Sequence, residues 1–316
     1  MAKIILAERA GFCFGVNRAV QMAFETCREN PGNTCTFGEL IHNRQVTEKL
    51  NEFNVRCVKS AKELQKDDNV VIRAHGIGQD VYTDINKRGA IIHDATCPDV
   101  KRIHKLVNQK HIAGYRIIIV GDKQHPEVIG INGWCNNEAY IVSDISEVQE
   151  LPDTEENICV VAQTTSKPEK YEEIYNFIKK KFANAVKFDT ICRATEKRQR
   201  EAEEISKTAD VMIVIGGSNS SNTQKLFEIC SANCPLTYKI ETVQDLPALD
   251  IKKINTIGIT AGASTPDWVV KEVFETMDEM INKQETEMSF KEAFEESEVN
   301  SLRSGEVVKG RIIGYN

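Results

Sequence analysis

The sequence lacks the features that mark a membrane protein or a secreted one. No apolar run among its 316 residues approaches the roughly 20 residues that a membrane-spanning helix needs. The opening MAKIILAERA is too short and too polar to be a secretory signal peptide. Hydrophobic residues make up 41% and charged residues 28%, which is ordinary for a soluble protein. We therefore expect a cytoplasmic protein without a membrane partner, long enough for two or three domains.

An excess of positive charge is also missing. The formal net charge is −7, and residues 284–306 hold seven Glu against Lys291 and Arg303, a local charge of −5. The remainder of the chain therefore carries −2 and is nearly neutral. A nearly neutral charge gives no support for nonspecific binding to nucleic acid, which depends on the attraction of Lys and Arg side chains to the phosphates.

What the chain does contain is a repeated alternation of apolar runs and helical patterns. The runs are mostly continuous Val and Ile, as in buried parallel strands, and prolines lie near the first positions of several predicted helices. The predicted strands are Lys3–Ala7, Asn69–Arg73, Ala90–His93, Arg116–Val120, Ala139–Val142, Ile158–Ala162, Val211–Ile215 and Thr256–Thr260. The predicted helices are Pro98–Ala113, Pro168–Phe182, Ala194–Lys207, Asn222–Ala232 and Pro266–Asn282. This alternation predicts an α/β fold with mainly parallel sheets.

Three of the ten cysteines share one context. Cys13, Cys97 and Cys192 each lie just past an apolar strand and just before a helix, at separations of 84 and 95 residues. A reducing compartment makes structural disulfides unexpected. Three thiolates from three similar places indicate a soft metal site. Zinc and iron–sulfur sites usually have four protein ligands, so we expect one coordination position to be open for a substrate.

The recurrence of this context predicts an internal threefold repeat. We expect a first α/β unit over residues 14–97 and a second over residues 98–192. The third unit is expected over residues 193–283, completed by residues 1–13.

Residues 284–316 differ in composition from the rest. Residues 284–300 are acidic and predict a linker or a frayed helix. The following GEVVKGRI resembles the first strand of the OB-fold RNA-binding repeat of a large small-subunit ribosomal protein. An OB-fold has five strands, so one strand cannot fold alone. We interpret the segment as the truncated start of such a repeat, and a plain β-prone tail is the alternative.

Histidines fall in the turns that follow strands. Ligands and helix N-termini gather at the carboxyl ends of parallel strands. His42, His75 and His125 occupy such turns, whereas the other three of the six histidines fall in strand or helix patterns. One such histidine alone is best explained as structural, but three together favour a shared site.

The other candidate side chains in these turns have two explanations each. Glu127 is the best-placed candidate proton donor, although a carboxylate in a first helical turn is also favoured by the helix dipole. Thr164 and Thr165 either cap the next helix or relay a proton. The turn Gly216–Asn222 lacks a P-loop lysine and a dinucleotide spacing, so it suits a bare phosphate or diphosphate, or is only a turn. The similar segment around Ser264 would form a second wall.

These motifs together carry a resemblance to a known family. Over about residues 3–282 the sequence resembles the 4-hydroxy-3-methylbut-2-enyl diphosphate reductases of the non-mevalonate isoprenoid pathway. The matching segments are AGFCFGVNRAV, GELIHN, RAHGIG, DATCPDV, GDKQHPEVIG, AQTT, DTIC followed by AT, GGSNSSNTQKL and TAGASTPDW. The acidic segment and the OB-like strand resemble the clostridial fusion of such a reductase to RNA-binding repeats.

The resemblance implies a trefoil of three α/β units around a central 4Fe–4S cluster. Cys13, Cys97 and Cys192 would hold three irons, and the substrate hydroxyl would lie on the open fourth iron. Glu127 would supply protons and Thr164 would position the hydroxyl, with Thr165 nearby. The diphosphate would be bound by the remaining polar residues of the matched motifs: His42, His75, His125, Ser220, Ser221, Asn222 and Ser264.

The implied reaction is a reductive dehydroxylation that gives isopentenyl and dimethylallyl diphosphate. Two electrons would enter one at a time from ferredoxin or flavodoxin, and two protons would be consumed. The resemblance further implies a monomer that meets RNA only through repeats beyond residue 316.

Three other functions stay open. A non-redox iron–sulfur hydro-lyase would also use an open iron. An RNA-linked iron–sulfur regulatory protein is suggested by the tail, and a zinc hydrolase would use the same three cysteines.

Overall fold

Three four-stranded sheets form the framework of the chain. The computed structural model describes residues 2–296. Within them the strands are β1 (Lys3–Leu6), β2 (Thr34–Phe37), β3 (Arg56–Val58), β4 (Asn69–Ile72), β5 (Ile91–Asp94), β6 (Arg116–Val120), β7 (Tyr140–Val142), β8 (Ile158–Ala162), β9 (Ala185–Lys187), β10 (Val211–Ile215), β11 (Thr237–Ile240) and β12 (Thr256–Ala261).

The three sheets have the same strand order. Read from corresponding edges, they are β1-β12-β10-β11, β5-β4-β2-β3 and β9-β8-β6-β7. Each strand pairing is parallel. The prediction of three α/β units with parallel sheets is confirmed. Strand β1 pairs with β12 and so lies in the same sheet as β10 and β11.

Helices connect successive strands, as parallel pairing requires. They are α1 (Phe14–Glu29), α2 (Arg44–Glu52), α3 (Gln79–Lys87), α4 (Pro98–Ile112), α5 (Pro126–Asn132), α6 (Ile145–Glu150), α7 (Pro168–Lys181), α8 (Arg193–Ser206), α9 (Ser221–Asn233) and α10 (Asp267–Glu296). Pro98, Pro126 and Pro168 each occupy the first turn of a helix, where the missing N–H costs nothing.

Helix α10 is longer than the sequence pattern predicts. The predicted helix ends at Asn282, whereas the helix continues to Glu296. Of the two interpretations of the acidic segment, the helical one therefore holds as far as residue 296. The OB-like strand predicted after it lies outside the described residues, and the residue boundaries of the three units stay predictions.

The core lies on both faces of each sheet. The central strands β2, β8 and β10 are buried at every position, and β4 is as well. Fully burying one Val or Ile side chain contributes roughly 1.5–3 kcal/mol relative to leaving it in water. The continuous apolar runs of the sequence are therefore the main source of stability, and they hold the strand ends in place.

One backbone hydrogen bond recurs in all three units. The turn after β1 ends at Cys13, whose N–H donates to the Ala263 carbonyl over 3.2 Å. Cys97, after β5, donates to Ala74 over 2.9 Å, and Cys192, after β9, donates to Thr164 over 3.0 Å. Each acceptor lies two residues past the strand neighbouring the edge strand. The internal repeat predicted from the cysteines therefore recurs as the same backbone hydrogen bond at the same position in each sheet.

Among residues 2–296, no helix is both long enough and apolar enough to cross a lipid bilayer.

Candidate functional site

The polar turns of the three units face one shared cavity. Side chains from after β1, β2, β4 to β6, β8 to β10 and β12 line it. Every candidate residue chosen from the sequence is among the lining residues: Cys13, His42, His75, Cys97, His125, Glu127, Thr164, Thr165, Cys192, Ser220, Ser221, Asn222 and Ser264. The sequence therefore selects one spatial site, while the role of each residue stays a proposal.

The three cavity cysteines occupy equivalent positions. Cys13, Cys97 and Cys192 are the N-cap residues of α1, α4 and α8, and none of the three side chains makes a cap hydrogen bond. All three are half-buried, whereas six of the other seven cysteines are buried and Cys57 is exposed. The positive ends of three helices therefore face three thiols, an arrangement that favours thiolates and a bound anionic group.

Burial opposes ionisation of these thiols while they are free. It raises the pKa of Cys97 to about 12 and also raises the pKa of Cys192. The Cys192 thiol donates to Asp99 Oδ2 over 3.1 Å, which favours its neutral form further. A thiophilic metal displaces these protons when it binds. Three thiols converging on one cavity without disulfides are a donor set that fits an iron–sulfur cluster with one position free of protein.

Gly15, in the first turn of α1, makes room for Cys97. A Cβ added at Gly15 would lie 2.4 Å from Cys97 Sγ and 3.1 Å from its Cβ. Any side chain there would displace the sulfur. The close approach therefore supports a fixed position for this thiol.

We expect the Gly15→Ala enzyme to lose iron and at least about tenfold in activity, the range for disturbed surroundings of a metal ligand. Alanine suits a helix better than glycine by about 1 kcal/mol, so the helix itself is not weakened. Iron analysis and the visible absorbance of protein purified without oxygen measure the effect.

Gly130→Ala is the matched control for this substitution. Gly130 is also helical, but a Cβ there meets its nearest atoms at 3.4 Å, an ordinary contact. This variant should keep wild-type iron content. Equal iron in both variants would contradict a fixed Cys97 position.

Three imidazoles form the opposite side of the cavity. The ring centroids of His42, His75 and His125 lie 4.6–5.6 Å apart. Burial lowers the pKa of His75 well below its usual value, and burial together with the charge of His42 lowers the pKa of His125 to about 4. The two rings are therefore neutral at pH 7 in the empty cavity. Nδ1 of His125 accepts the Glu127 N–H over 3.1 Å, so the proton of the neutral ring is on Nε2.

Several buried polar atoms of the cavity have no protein partner. Among the described residues these include His42 Nε2, His75 Nδ1 and Asn222 Nδ2. Asn222 Oδ1 accepts the Ala263 N–H over 3.0 Å, which directs its amide donors elsewhere. Unpartnered buried polar atoms are costly, so their convergence indicates a polar ligand, and the Asn222 amide offers it a hydrogen-bond donor. The ring nitrogens also lie close enough to hold a metal ion, but the amide and hydroxyl donors beside them favour an anion.

Hydroxyl groups complete the wall at the start of α9. Ser264 Oγ donates to Ser220 Oγ over 3.2 Å, and Ser220 Oγ in turn accepts the Thr223 N–H. Thr165 Oγ1 lies 3.1 Å from Ser221 Oγ. The glycine-rich turn thus presents hydroxyls and a helix N-terminus, an arrangement that suits an anionic ligand.

Glu127 lies buried between the thiols and the imidazoles. It is 2% exposed. Its Oε1 accepts the Thr164 N–H over 2.6 Å, and its Oε2 lies 2.7 Å from Thr164 Oγ1. Burial raises the pKa of the carboxyl, although the bonds from Thr164 partly oppose this. The pair can hold a proton at Glu127 and pass it along the hydroxyl of Thr164.

Two site residues were not chosen from the sequence. Asp99 accepts the Cys192 thiol, and Gln163 donates to Thr165 Oγ1 over 3.1 Å and to Ser221 Oγ over 3.4 Å. Both belong to the motifs DATCPDV and AQTT. The sequence indicates these two residues only by their position next to chosen ones. Asp99 taken alone is also explained by the favourable interaction of a carboxylate with a helix N-terminus.

The other three histidines lie away from the cavity, as expected. His93 Nε2 lies 2.8 Å from Asn69 Oδ1, and His104 stacks on Trp134 with centroids 5.3 Å apart. His111 Nε2 lies 3.1 Å from Asn136 Nδ2.

Comparison with known proteins identifies the family. A family model described as LytB protein matches residues 4–278. The 4-hydroxy-3-methylbut-2-enyl diphosphate reductase of Caldanaerobacter subterraneus subsp. tengcongensis is 46% identical over 288 residues, covering 90% of this chain and 100% of that protein. The protein of that name from Clostridium perfringens is 47% identical over 281 residues, covering 88% and 99%.

Solved structures agree with this assignment. The E-1-hydroxy-2-methyl-but-2-enyl-4-diphosphate reductase of Plasmodium falciparum superposes with a TM-score of 0.82 at 30% identity, covering 87% of each chain. A second structure, described as the terminal enzyme of the non-mevalonate pathway, has a TM-score of 0.67 at 39% identity and covers 88% of this chain. The fold and the matched sequence place the chain in a class of three-unit α/β enzymes: it belongs to the LytB protein family. Within that class it is a reductase.

Proposed function

We propose that the chain removes the hydroxyl group of 4-hydroxy-3-methylbut-2-enyl diphosphate reductively, giving isopentenyl and dimethylallyl diphosphate. Each turnover consumes two electrons and two protons and releases one water. One observation carries the proposal: three half-buried thiols, a buried carboxyl and unpartnered buried polar atoms line a single cavity. The names of the relatives support the substrate.

Cys13, Cys97 and Cys192 would hold a 4Fe–4S cluster in this enzyme. Their thiols offer soft ligands from three separate units, and the three helix N-termini stabilise the negative charge of the cluster. When bound, the cluster would supply electrons one at a time and a Lewis-acidic iron at its open position.

The diphosphate would lie against the imidazoles and the start of α9. His42, His75 and Asn222 each have an unpartnered buried polar atom there, and His125 carries its ring proton on the free Nε2. Ser220, Ser221 and Ser264 add hydroxyls. These imidazole, amide and hydroxyl groups would bind the anion, with the Lys225 ammonium 3.5 Å from Ser221 Oγ behind them.

Glu127 would donate the protons, and Thr164 would hold the substrate hydroxyl beside it. Its raised pKa keeps the carboxyl protonated to a higher pH than an exposed glutamate. Thr165 would also bind the substrate, beside the diphosphate wall that its contact with Ser221 adjoins.

An anaerobic assay tests the function. Chain purified without oxygen is mixed with reduced methyl viologen and the hydroxymethylbutenyl diphosphate. We expect bleaching that depends on the substrate, and isoprenoid diphosphates as products. Conversion of the substrate to a dehydrated, unreduced product without bleaching would replace the proposal with a hydro-lyase, and colourless zinc protein would replace it with a zinc enzyme.

Asn222→Asp should weaken diphosphate binding at least about tenfold, because a like charge then faces the anion. Oδ1 can still accept the Ala263 N–H, so the turn keeps its shape. Titration calorimetry with inorganic diphosphate on the cluster-loaded enzyme measures the dissociation constant.

Asn233→Asp is the matched control for this charge. It adds the same charge at the exposed opposite end of α9. Equal weakening in both variants would mean that the overall charge acts, and not the position of Asn222.

The chain would work in the cytoplasm as a monomer with ferredoxin or flavodoxin as electron donor. We also propose that the segment GEVVKGRI begins an OB-fold repeat of a longer fusion protein. The reductase of Clostridium acetobutylicum supports this, since it is 43% identical over 99% of this chain, which spans only 49% of that protein. The longer chain should bind RNA in a salt-dependent way that residues 1–283 do not.

A further inference from the structure

A groove on the outside of the third unit reaches one of the cavity cysteines. Arg9, Phe12, Cys13, Arg193, Lys197 and Arg198 are among its lining residues. Cys13 also lines the central cavity, whereas Cys97 and Cys192 do not line the groove. The groove therefore leads from the protein surface to one proposed cluster ligand, on a route separate from the diphosphate wall.

The rim of the groove is positively charged and free to bind. Arg193 and Lys197 are exposed and lie one turn apart on α8. Within residues 2–296 neither side chain has an ion pair. Arg9 is a third exposed cation, but its charge is offset by Glu201 at 3.8 Å and by Glu8 at 3.9 Å, which also lines the groove. Two cations are thus available to acidic groups of a partner.

The floor of the groove is rigid. Arg198 is buried and donates through Nη1 to the carbonyls of Gly11 and Ala261 over 2.8 and 2.7 Å. These bonds tie α8 to the turn that ends in Cys13. A partner that binds the rim therefore meets a fixed surface, which lowers the ordering cost of binding.

An exposed aromatic ring lies beside the groove. Phe14 follows Cys13 directly and is 76% exposed. Aromatic side chains ringed by charges are common anchors of protein interfaces, because the ring gives contact area and the charges give orientation.

We propose that this groove is the docking surface for an acidic one-electron carrier protein. The inference rests on the proposed function, which needs two electrons per turnover and assigns the central cavity to the substrate. Each docking event would oxidise one reduced carrier by one electron and pass that electron to the group held by Cys13, so two carriers are used per product. Charge complementarity would speed the encounter and make it sensitive to salt.

A second cavity of the protein also has basic residues in its lining but no cysteine. It is lined by Lys59, Lys62, Arg73 and Lys87 among others, and by no cysteine. A carrier bound there would gain the same attraction without reaching a cluster ligand. This cavity supplies the control for the groove.

The test is the double variant Arg193→Glu with Lys197→Glu in the cluster-loaded enzyme. Acidic residues in the first turns of α8 suit the helix dipole, so the fold is retained. With a reduced acidic ferredoxin as donor, the KM for ferredoxin should rise at least about tenfold, the low end of steering effects. With reduced methyl viologen as donor, kcat should be unchanged, because this small cation is not repelled by the new charges.

Lys59→Glu with Lys62→Glu is the matched control and should leave the KM for ferredoxin unchanged. An unchanged KM in the groove variant, or an equal rise in both double variants, would overturn the docking site. Titration of oxidised ferredoxin with each protein, without substrate, gives a second readout. In this titration only the groove variant should bind ferredoxin more weakly than the wild type does. Added salt should also weaken ferredoxin binding less in the groove variant than in the wild type.

These measurements separate two kinds of failure. If the wild type makes no product with methyl viologen, the proposed function fails, while the binding titration still decides the docking site. If methyl viologen supports turnover and ferredoxin binding ignores the groove charges, the docking site alone is wrong.

Discussion

Replacing Cys97 with serine should abolish iron binding and lower turnover at least about 100-fold, the upper end of what changes around metal ligands cost. A serine hydroxyl is a hard, poorly ionised donor, and the buried position of Cys97 penalises its alkoxide further. The fold should survive, because the Cys97 side chain caps no helix hydrogen bond. Iron analysis, visible absorbance and far-UV circular dichroism on protein purified without oxygen measure these effects.

Cys57→Ser is the matched control, since Cys57 is the exposed cysteine of the described residues. It should keep iron, colour and turnover. An active, brown Cys97→Ser enzyme would remove Cys97 from the ligand set.

Glu127→Gln should slow turnover at least about 100-fold, as expected on losing a general acid. The amide has the shape of the carboxyl, so its oxygen can still accept the Thr164 N–H and its nitrogen can donate to the Thr164 hydroxyl. The diphosphate should therefore bind as in the wild type. Single-turnover kinetics and calorimetry separate the two effects, and near-normal turnover would exclude Glu127 from proton transfer.

The pH dependence of turnover by the wild-type enzyme should reflect the ionisation of the Glu127 carboxyl. Burial raises the pKa of Glu127, so the protonated form that donates persists above the usual carboxyl range and is lost as pH rises through the raised value. Turnover by the wild-type enzyme should therefore decrease as the pH rises through this range. The Glu127→Gln enzyme should not show this decrease. The free energy of unfolding should follow the same sign: the stability linked to protonated Glu127 is present at low pH and lost as pH rises, and the glutamine variant is spared that loss.

Strands with apolar runs could be predicted from sequence, down to the three-residue β7, whereas β2, β3, β9 and β11 could not. Runs such as Val211–Ile215 are buried throughout, so their pattern carries the signal. Strand β2 is equally buried but reads Thr-Cys-Thr-Phe, and β3 and β9 have three residues each. Such segments become strands only because their neighbours supply pairing partners, which is tertiary information.

The site could be chosen from sequence because its residues sit at one recurring position, the turn after a parallel strand. The partners that lie far away in the sequence could not be found this way. Asp99 contacts a cysteine 93 positions away. Gln163 binds Ser221, 58 positions away, and only the packing of the units brings these groups together.

The recurring hydrogen bond from each cavity cysteine to a carbonyl of its own unit has a thermodynamic consequence. Each of the three units carries one of the cavity thiols, so a chain in which one unit has opened presents two thiols instead of three. A group bound to all three thiols favours the closed assembly by mass action and thereby raises its stability. Binding of a group to the three thiols and association of the three units are then coupled in one equilibrium. Removing the bound group should separate the units from one another before any of the sheets unfolds.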